Sequence, residues 1–469
     1  MTTSTLIRNV FLADARQEPN LRPTPCNILI RDGRIAAIGA DGAPDARDVI
    51  DGNGAIAVAG FADSHRHIWQ TGIRGVAADW SLADYVRQIR VGYATAFSPD
   101  DVYLANLVGA LEAIDTGVTS ICDFSHIMNS PTHTEAAIQG LTDAGIRGVF
   151  CYGFYDVPTR NRHFSAHDQR IAHAESVAGD FHRKAGSLLK FGIATTETKL
   201  IGPEQTDAEL AVARKHDALI TLHVGTMGSP HGILELDGRG RLADDMLFVH
   251  ANMCSDDELA ALVRSGASLS ITPETEMQMG MGWPATNRLL EAGGLPSFGV
   301  DIVSQNSGDM LTQLRIGLQT ARAIQNQPYL DRGVVPDKIA LGVRDALRYG
   351  TEGGIRAMKL GDDLGHLSVG ARADIALFRA DGTNMIPFSD PVAMLMLQSR
   401  PGDADTVLID GRIVKRDGRL LGHDLGALQD RLNASFQRIA EEVEQSRDLE
   451  ANTTGAYANV VTGATQSGG

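Results

Sequence analysis

Short apolar runs recur through the middle of the chain, each followed by a longer amphipathic stretch. The runs are Ala55–Phe61, Val118–Phe124, Gly148–Gly153, Leu189–Thr195, Ala218–Val224, Met246–Ala251, Ser268–Thr272 and Ser297–Asp301. Each carries apolar residues on both parities, the pattern of strands buried on both faces. Between them lie segments such as Asp207–His216 and Asp256–Ser265, where apolar residues return with helical spacing. Eight strand–helix repeats predict a (β/α)8 TIM barrel. An open doubly wound sheet is the runner-up, weakened because no glycine-rich phosphate loop follows any of the runs.

The two ends of the chain follow a different pattern. Asn27–Ile30 and Ile35–Ile38 flank Arg31-Asp32-Gly33-Arg34, a turn with the Asp-Gly signal of a hairpin. Near the other end, Thr406–Ile409 runs into Asp410-Gly411, and a second turn follows at Arg416-Asp417-Gly418-Arg419. Similar hairpins at opposite ends predict one small β-sandwich built from both termini, residues 1–58 plus 366–425, with the barrel, residues 59–365, inserted between them. Residues 426–469 are expected to form a C-terminal helix and a flexible tail, because the stretch from about Ser446 is rich in Ser, Thr, Asn, Gly and Gln.

A chain of 469 residues has room for such a barrel and a smaller domain, and its 43% hydrophobic and 21% charged residues are ordinary globular values. The formal net charge of −16 argues against nucleic acid or an anionic membrane as partner. The cysteines, Cys26, Cys122, Cys151 and Cys254, show no paired spacing, which fits a reducing compartment. The N-terminus lacks the pattern of a signal peptide and no run reaches the length of a membrane span, so a cytoplasmic location is expected.

Barrel chemistry gathers at the C-terminal ends of strands. The first run leads into Asp63-Ser64-His65-Arg66-His67, and in extended backbone residues i and i+2 face the same side, so both imidazoles can reach one point. His223 ends the fifth run, His250 the sixth and Asp301 the eighth. Three imidazoles and a carboxylate suit one divalent metal ion with room for a water, zinc first, with iron or manganese as alternatives. Such a metal lowers the pKa of its water towards neutrality and supplies hydroxide. Asp301 could ligate the metal and also take the water's proton, while His250 is either a fourth imidazole ligand or a group that polarises the substrate.

These motifs resemble the amidohydrolase superfamily, specifically its branch of cytosine, guanine and methylthioadenosine deaminases and triazine chlorohydrolases. Ala59-Gly60-Phe61-Ala62-Asp63-Ser64-His65-Arg66-His67 is similar to that family's Pro-Gly-Phe-x-Asp-x-His-x-His, Arg74-Gly75 to the Arg-Gly that follows, and Ser368–Asp374 to its return into the β domain. The resemblance implies His65, His67, His223 and Asp301 as metal ligands and His250 as a catalytic residue. It also implies a small, cyclic substrate whose C–N bond is attacked by metal-bound hydroxide, and a homo-oligomer, dimer or tetramer.

The chain departs from the family in two places. Thr226 stands three residues after His223, where the family carries the glutamate that shuttles protons, and a hydroxyl cannot replace a carboxylate in that work. In Thr272-Pro273-Glu274-Thr275-Glu276, Glu276 stands where asparagine is usual. Glu276 or Glu274 is therefore expected to take over the proton shuttle, the alternative being that both are exposed loop carboxylates. A dinuclear site is not expected, because Ile193–Glu197 offers no lysine and Lys199 lies too far along. Gln70, Arg74, His126, Glu197, Thr226 and Trp283 are the expected substrate contacts. Deamination leads the readings. Behind it stand hydrolysis of another leaving group (dechlorination, amide or ring opening), a metal-assisted lyase or isomerase, and a catalytically silent binding protein.

Overall fold

The computed structural model of the protein describes residues 4–39, 46–159, 162–183 and 186–447. The chain begins with β1 (Ser4–Ala13), β2 (Cys26–Arg31), β3 (Arg34–Gly39) and β4 (Asp48–Ala59). The barrel strands follow as β5 (Phe61–Arg66), β6 (Val118–Ser125), β7 (Arg147–Gly153), β8 (Leu189–Ala194), β9 (Leu219–Val224), β10 (Met246–His250), β11 (Ser268–Ile271) and β12 (Pro296–Phe298). The chain then returns with β13 (Ile375–Phe378), β14 (Ala404–Ile409), β15 (Arg412–Arg416) and β16 (Arg419–Leu420).

Strands from both ends form one sheet in the order β16-β15-β14-β13-β4-β1-β2-β3. Its hairpins turn as the sequence predicts, with positive φ at both residues of Asp32-Gly33, Asp410-Gly411 and Asp417-Gly418. The sheet curls over a core of Ile7, Ile28, Ile30, Ile375, Leu377 and Leu408. Its two hairpin ends meet where Ala373 N donates to Gly33 O at 2.8 Å and Gly411 N to Ala373 O at 3.0 Å.

The second sheet is the barrel, parallel throughout and ordered β5 to β12. Hydrogen bonds from Asp301 N to His65 O (2.9 Å) and from His67 N to Asp301 O (2.8 Å) draw its last strand towards its first. Side chains cannot intervene at this seam. A Cβ on Gly299 would lie 2.6 Å from His65 O and 2.7 Å from His65 N.

The first apolar run divides differently from the sequence expectation. Ala55–Ala59 belongs to β4 and only Phe61 onward enters the barrel, because the chain crosses between the sheets at Gly60, whose N–H bonds Asp374 O at 2.9 Å. A Cβ there would sit 2.2 Å from Thr119, so the crossing needs glycine. The expected helices form as Pro203–Lys215 and Asp256–Ser265, the latter opened by a Ser255–Glu258 capping box.

Helix Leu425–Arg447 packs on the barrel, burying Ile439 and Val443, with Ser435 Oγ donating to Asp101 Oδ1 at 2.6 Å. The flexible tail expected beyond it lies outside the described residues. Among the described residues no helix is long and apolar enough to cross a membrane.

Candidate active site

Alternation along β5 sends His65 and His67 to one side of the strand and Arg66 to the other. Arg66 points away from the site, where its Nη2 donates to Glu112 Oε2 at 2.6 Å and its Nη1 to Gly308 O at 3.2 Å. His223 and His250 arrive from the ends of β9 and β10, and Asp301 from just beyond β12. His250 (φ +76°) and Asp301 (φ +69°) hold left-handed backbone, a strained conformation for side chains of this kind that typically costs about 1–3 kcal/mol each.

The five groups converge. Ligand atoms of His65, His67 and His223 lie within 4.8 Å of one another, as do those of His65, His250 and Asp301. Asp301 Oδ1 is 3.2 Å from His65 Nε2 and 3.4 Å from His67 Nε2. The outer ring nitrogens are engaged elsewhere. His67 Nδ1 donates to Phe124 O at 2.8 Å and His223 Nδ1 to Glu197 Oε1 at 3.1 Å, which leaves each Nε2 as a free lone pair. Both ring nitrogens of His65 are buried without a hydrogen-bond partner.

Burial, reinforced by neighbouring imidazoles, holds His67 and His223 well below the ordinary histidine pKa, so both are neutral, the form that binds metal. Burial alone would raise Asp301, but His65 and His250 reverse it and hold the carboxyl well below its usual range. This donor set, with its orphaned buried nitrogens, fits one divalent ion.

His250 differs from the others. Burial pulls its pKa down, yet Glu276 and Asp301 outweigh burial and leave it raised. Its Nδ1 lies 3.0 Å from Thr272 Oγ1 and 3.4 Å from Glu276 Oε1. Glu276 is fully buried and anchored by Thr272 N at 2.8 Å, while its Oε2 is without a partner.

A cavity of about 630 Å³, counting space open to solvent, faces this cluster. Its walls include Leu82, Val86, Leu200, Met227, Met279, Met281 and Ile302, with Tyr85, Arg90, Glu197, Thr226 and Thr275 among the polar lining. Glu197 and Thr226, two of the expected substrate contacts, both line this cavity.

Other expected contacts lie elsewhere. Glu274 faces away from the cavity, held by Gln313 Nε2 (2.6 Å) and Ser307 Oγ (2.8 Å), because it lies on the outer side of the short helix Pro273–Gln278. Arg74 is turned outward onto Glu112 at 2.6 Å. Trp283 is 67% exposed, and Met279 and Met281 form the wall in its stead. Gln70 uses both ends of its amide behind the wall, donating to Tyr85 Oη at 2.6 Å and accepting from Ser304 Oγ at 2.7 Å. His126 stacks on His67 (centroids 4.1 Å apart) and accepts from Trp69 Nε1 at 3.0 Å, one layer beneath the cavity.

Asn306 holds the loop after β12 through Val300 O at 2.9 Å, and Asp309 caps the next helix at Thr312 N (2.8 Å). Arg90 and Tyr85 escaped the sequence reading. The one local signal was the Ser81–Asp84 capping box, which opens the short helix Leu82–Tyr85 that runs on into the turn Val86–Arg90.

The amidohydrolase family model matches residues 56–414, most of the chain and all of the site. The chain belongs to the amidohydrolase family. As an amidohydrolase it is a hydrolase of carbon–nitrogen bonds other than peptide bonds, and metal-dependent hydrolysis fits its site.

This amidohydrolase is 27% identical over 406 residues (84% of the chain, 90% of the relative) to a 5'-deoxyadenosine deaminase of Methanothermobacter thermautotrophicus. It is 25% identical, over 83% of the chain and 88% of the relative, to a 5-methylthioadenosine/S-adenosylhomocysteine deaminase of Desulforamulus reducens. Its fold is similar to that of a zinc-bound adenosine deaminase from Xanthomonas campestris, with TM-score 0.82 at 20% identity over 94% of this chain and 99% of that one. It is likewise similar to atrazine chlorohydrolase from Arthrobacter aurescens TC1 complexed with zinc (TM-score 0.76, 22% identity, 92% and 100% coverage). These are the deaminases and chlorohydrolases that the sequence motifs resemble.

Proposed function

We propose that the protein is a mononuclear, zinc-dependent deaminase of a small cyclic substrate, in which His65, His67, His223 and Asp301 hold the metal. The observation that carries this reading is the convergence of those four side chains beside one histidine, His250, whose proton is held by a buried carboxylate. When bound, the ion activates water and polarises the reacting carbon as a Lewis acid. The apolar wall excludes bulk water and packs a flat ring. Asp301 accepts a proton at Oδ1. His250 carries a proton on its ring, fixed by Thr272 and Glu276, and donates it towards the departing amine. Glu276 thus does through His250 what the family's glutamate does directly.

A second reading, hydrolysis of a better leaving group, is favoured by Thr226, which lines the cavity where a carboxyl group is usual. Such a group departs without taking up a proton. Assaying ammonia release from adenine nucleosides, aminopurines, pterins and aminotriazines separates the two. Ammonia from any of them supports deamination. Release of chloride without ammonia, from chlorotriazines, supports the second reading.

The proposal includes a cytoplasmic dimer or tetramer. The oligomer is supported by Tyr329, Leu330, Val334, Val335 and Ile339, which are at least 40% exposed on one segment. Sedimentation of the purified chain checks it, and a monomer would refute it.

A further inference from the structure

Arg90 ends a π-helical turn, Val86–Arg90, in the segment after the first barrel strand, and extra-wide turns of this kind recur where a side chain must be re-aimed for function. The side chain is buried, 5% exposed, yet lines the cavity. Its guanidinium carbon rests 4.1 Å from the centroid of the Tyr155 ring, and Tyr155 is itself anchored by donating from its hydroxyl to Thr195 O at 3.1 Å. A guanidinium stacked through its face keeps its N–H donors in the plane of the fork.

From the end of β8 comes Glu197, 7% exposed and in the same cavity. Its Oε1 is occupied by His223 Nδ1, while its Oε2 is buried without a hydrogen-bond partner. Neighbouring bonds fix the loop: Thr196 N donates to Glu209 Oε2 at 2.8 Å and Leu200 N to Glu197 O at 2.9 Å. Burial raises the Glu197 carboxyl, and the nearby positive charge of Arg90 opposes that rise.

The geometry points to Arg90 and Glu197 as a two-point clamp for a lactam or cyclic-ureide edge, a ring C=O next to a ring N–H. The inference rests on the reading of this cavity as the substrate site of a hydrolase. A donor fork beside an acceptor carboxylate matches that edge group for group. A carboxylate or phosphate on the substrate would meet Arg90 but be repelled by Glu197 and Asp301, and a cationic ring would be repelled by Arg90. A ring with neither carbonyl nor N–H offers no acceptor to Arg90 and no donor to Glu197 Oε2, so it leaves a buried carboxylate oxygen unsatisfied. The oxo-heterocycle is therefore selected by what the other classes fail to satisfy.

The test is calorimetric titration of the full-length protein with matched pairs: isocytosine against 2-aminopyrimidine, and guanine against 2-aminopurine. The clamp predicts at least tenfold tighter binding of the oxo member in each pair. It also predicts loss of that preference in Arg90→Met and Glu197→Gln, and partial retention in Arg90→Lys. Equal or reversed preference, or no binding by either member of either pair, overturns it. So does tighter binding of 2-aminopyrimidine-4-carboxylate than of isocytosine, which would assign Arg90 to an anion. The wild-type pairs decide the question by themselves, even where a variant fails to fold. Ammonia release is followed separately: oxo preference without ammonia keeps the clamp and refutes deamination, and ammonia without oxo preference does the reverse.

Discussion

Glu276 Oε1 lies 3.4 Å from His250 Nδ1, at the back of an imidazole whose other face looks into the cavity. In the proposed mechanism this carboxylate of the seventh strand's loop stands in, through His250, for the one that the fifth strand lacks at Thr226. Glu276→Gln keeps an acceptor for Thr272 N but removes the charge that offsets burial of His250. The kcat is expected to fall about 10²-fold, the scale of general acid–base catalysis, with little change in KM. Because the pKa of His250 then drops, its proton is lost at lower pH and the alkaline limb of the kcat profile should shift downward. Glu274→Gln should leave kcat close to that of the wild type and cost about 1 kcal/mol of stability at most. Steady-state kinetics across pH checks both.

Metal content follows from the donor set. The purified protein should carry one divalent ion per chain, and His65→Ala, His223→Ala or Asp301→Ala should each nearly abolish it. Dialysis against a chelator should remove activity and lower Tm, and added zinc should restore both. Elemental analysis beside a melting curve decides this, and two ions per chain would contradict the mononuclear site.

Glu209 is fully buried, and burial pushes its carboxyl from the ordinary 4.5 up to about 8 despite hydrogen bonds from Thr196. Between those values the folded chain holds a proton that the unfolded chain releases, so this contribution to stability is full below pH 4.5 and is lost as pH rises to about 8. The slope approaches about 1.4 kcal/mol per pH unit. Glu209→Gln should remove this fall, making denaturant midpoints flatter between pH 5 and pH 8. An unchanged slope would refute the assignment.

Arg66, between the two histidines of β5, is buried and ion-paired to Glu112 and, at 3.6 Å, to Asp63. Arg66→Met should destabilise by about 3–5 kcal/mol, because it strands the buried carboxyl of Asp63 without a counter-charge, while Glu112 keeps Arg74. Glu112→Gln, whose side chain is 24% exposed, should cost less. A double-mutant cycle by urea denaturation measures their coupling.

The barrel was legible because strands buried on both faces write themselves as apolar runs, and the cluster of His65, His67, His223, His250 and Asp301 because polar side chains sit where those runs end. What the pattern could not place was anything decided by tertiary direction. Glu274 and Glu276 are two residues apart in one short helix, and which of them faces His250 depends on how that helix is seated. Arg74 and Arg90 both follow the first strand, yet Glu112 draws one outward while Tyr155 holds the other inside. The first strand was misdivided because Ala55–Ala59 is as apolar as any barrel strand. Only the crowding of Gly60 against Thr119 shows where one sheet ends and the other begins.

That crossing has a consequence for the order in which the protein can be assembled. β4 lies between β1 and β13 in the terminal sheet and runs through Gly60 into the strand that bears His65 and His67. One of its neighbours is made at once, and the other waits for residues 375–378 to be synthesised. Until then the strand that bears His65 and His67 hangs from a sheet with an open edge. The earliest part of the active site to leave the ribosome is therefore among the last to be locked in place.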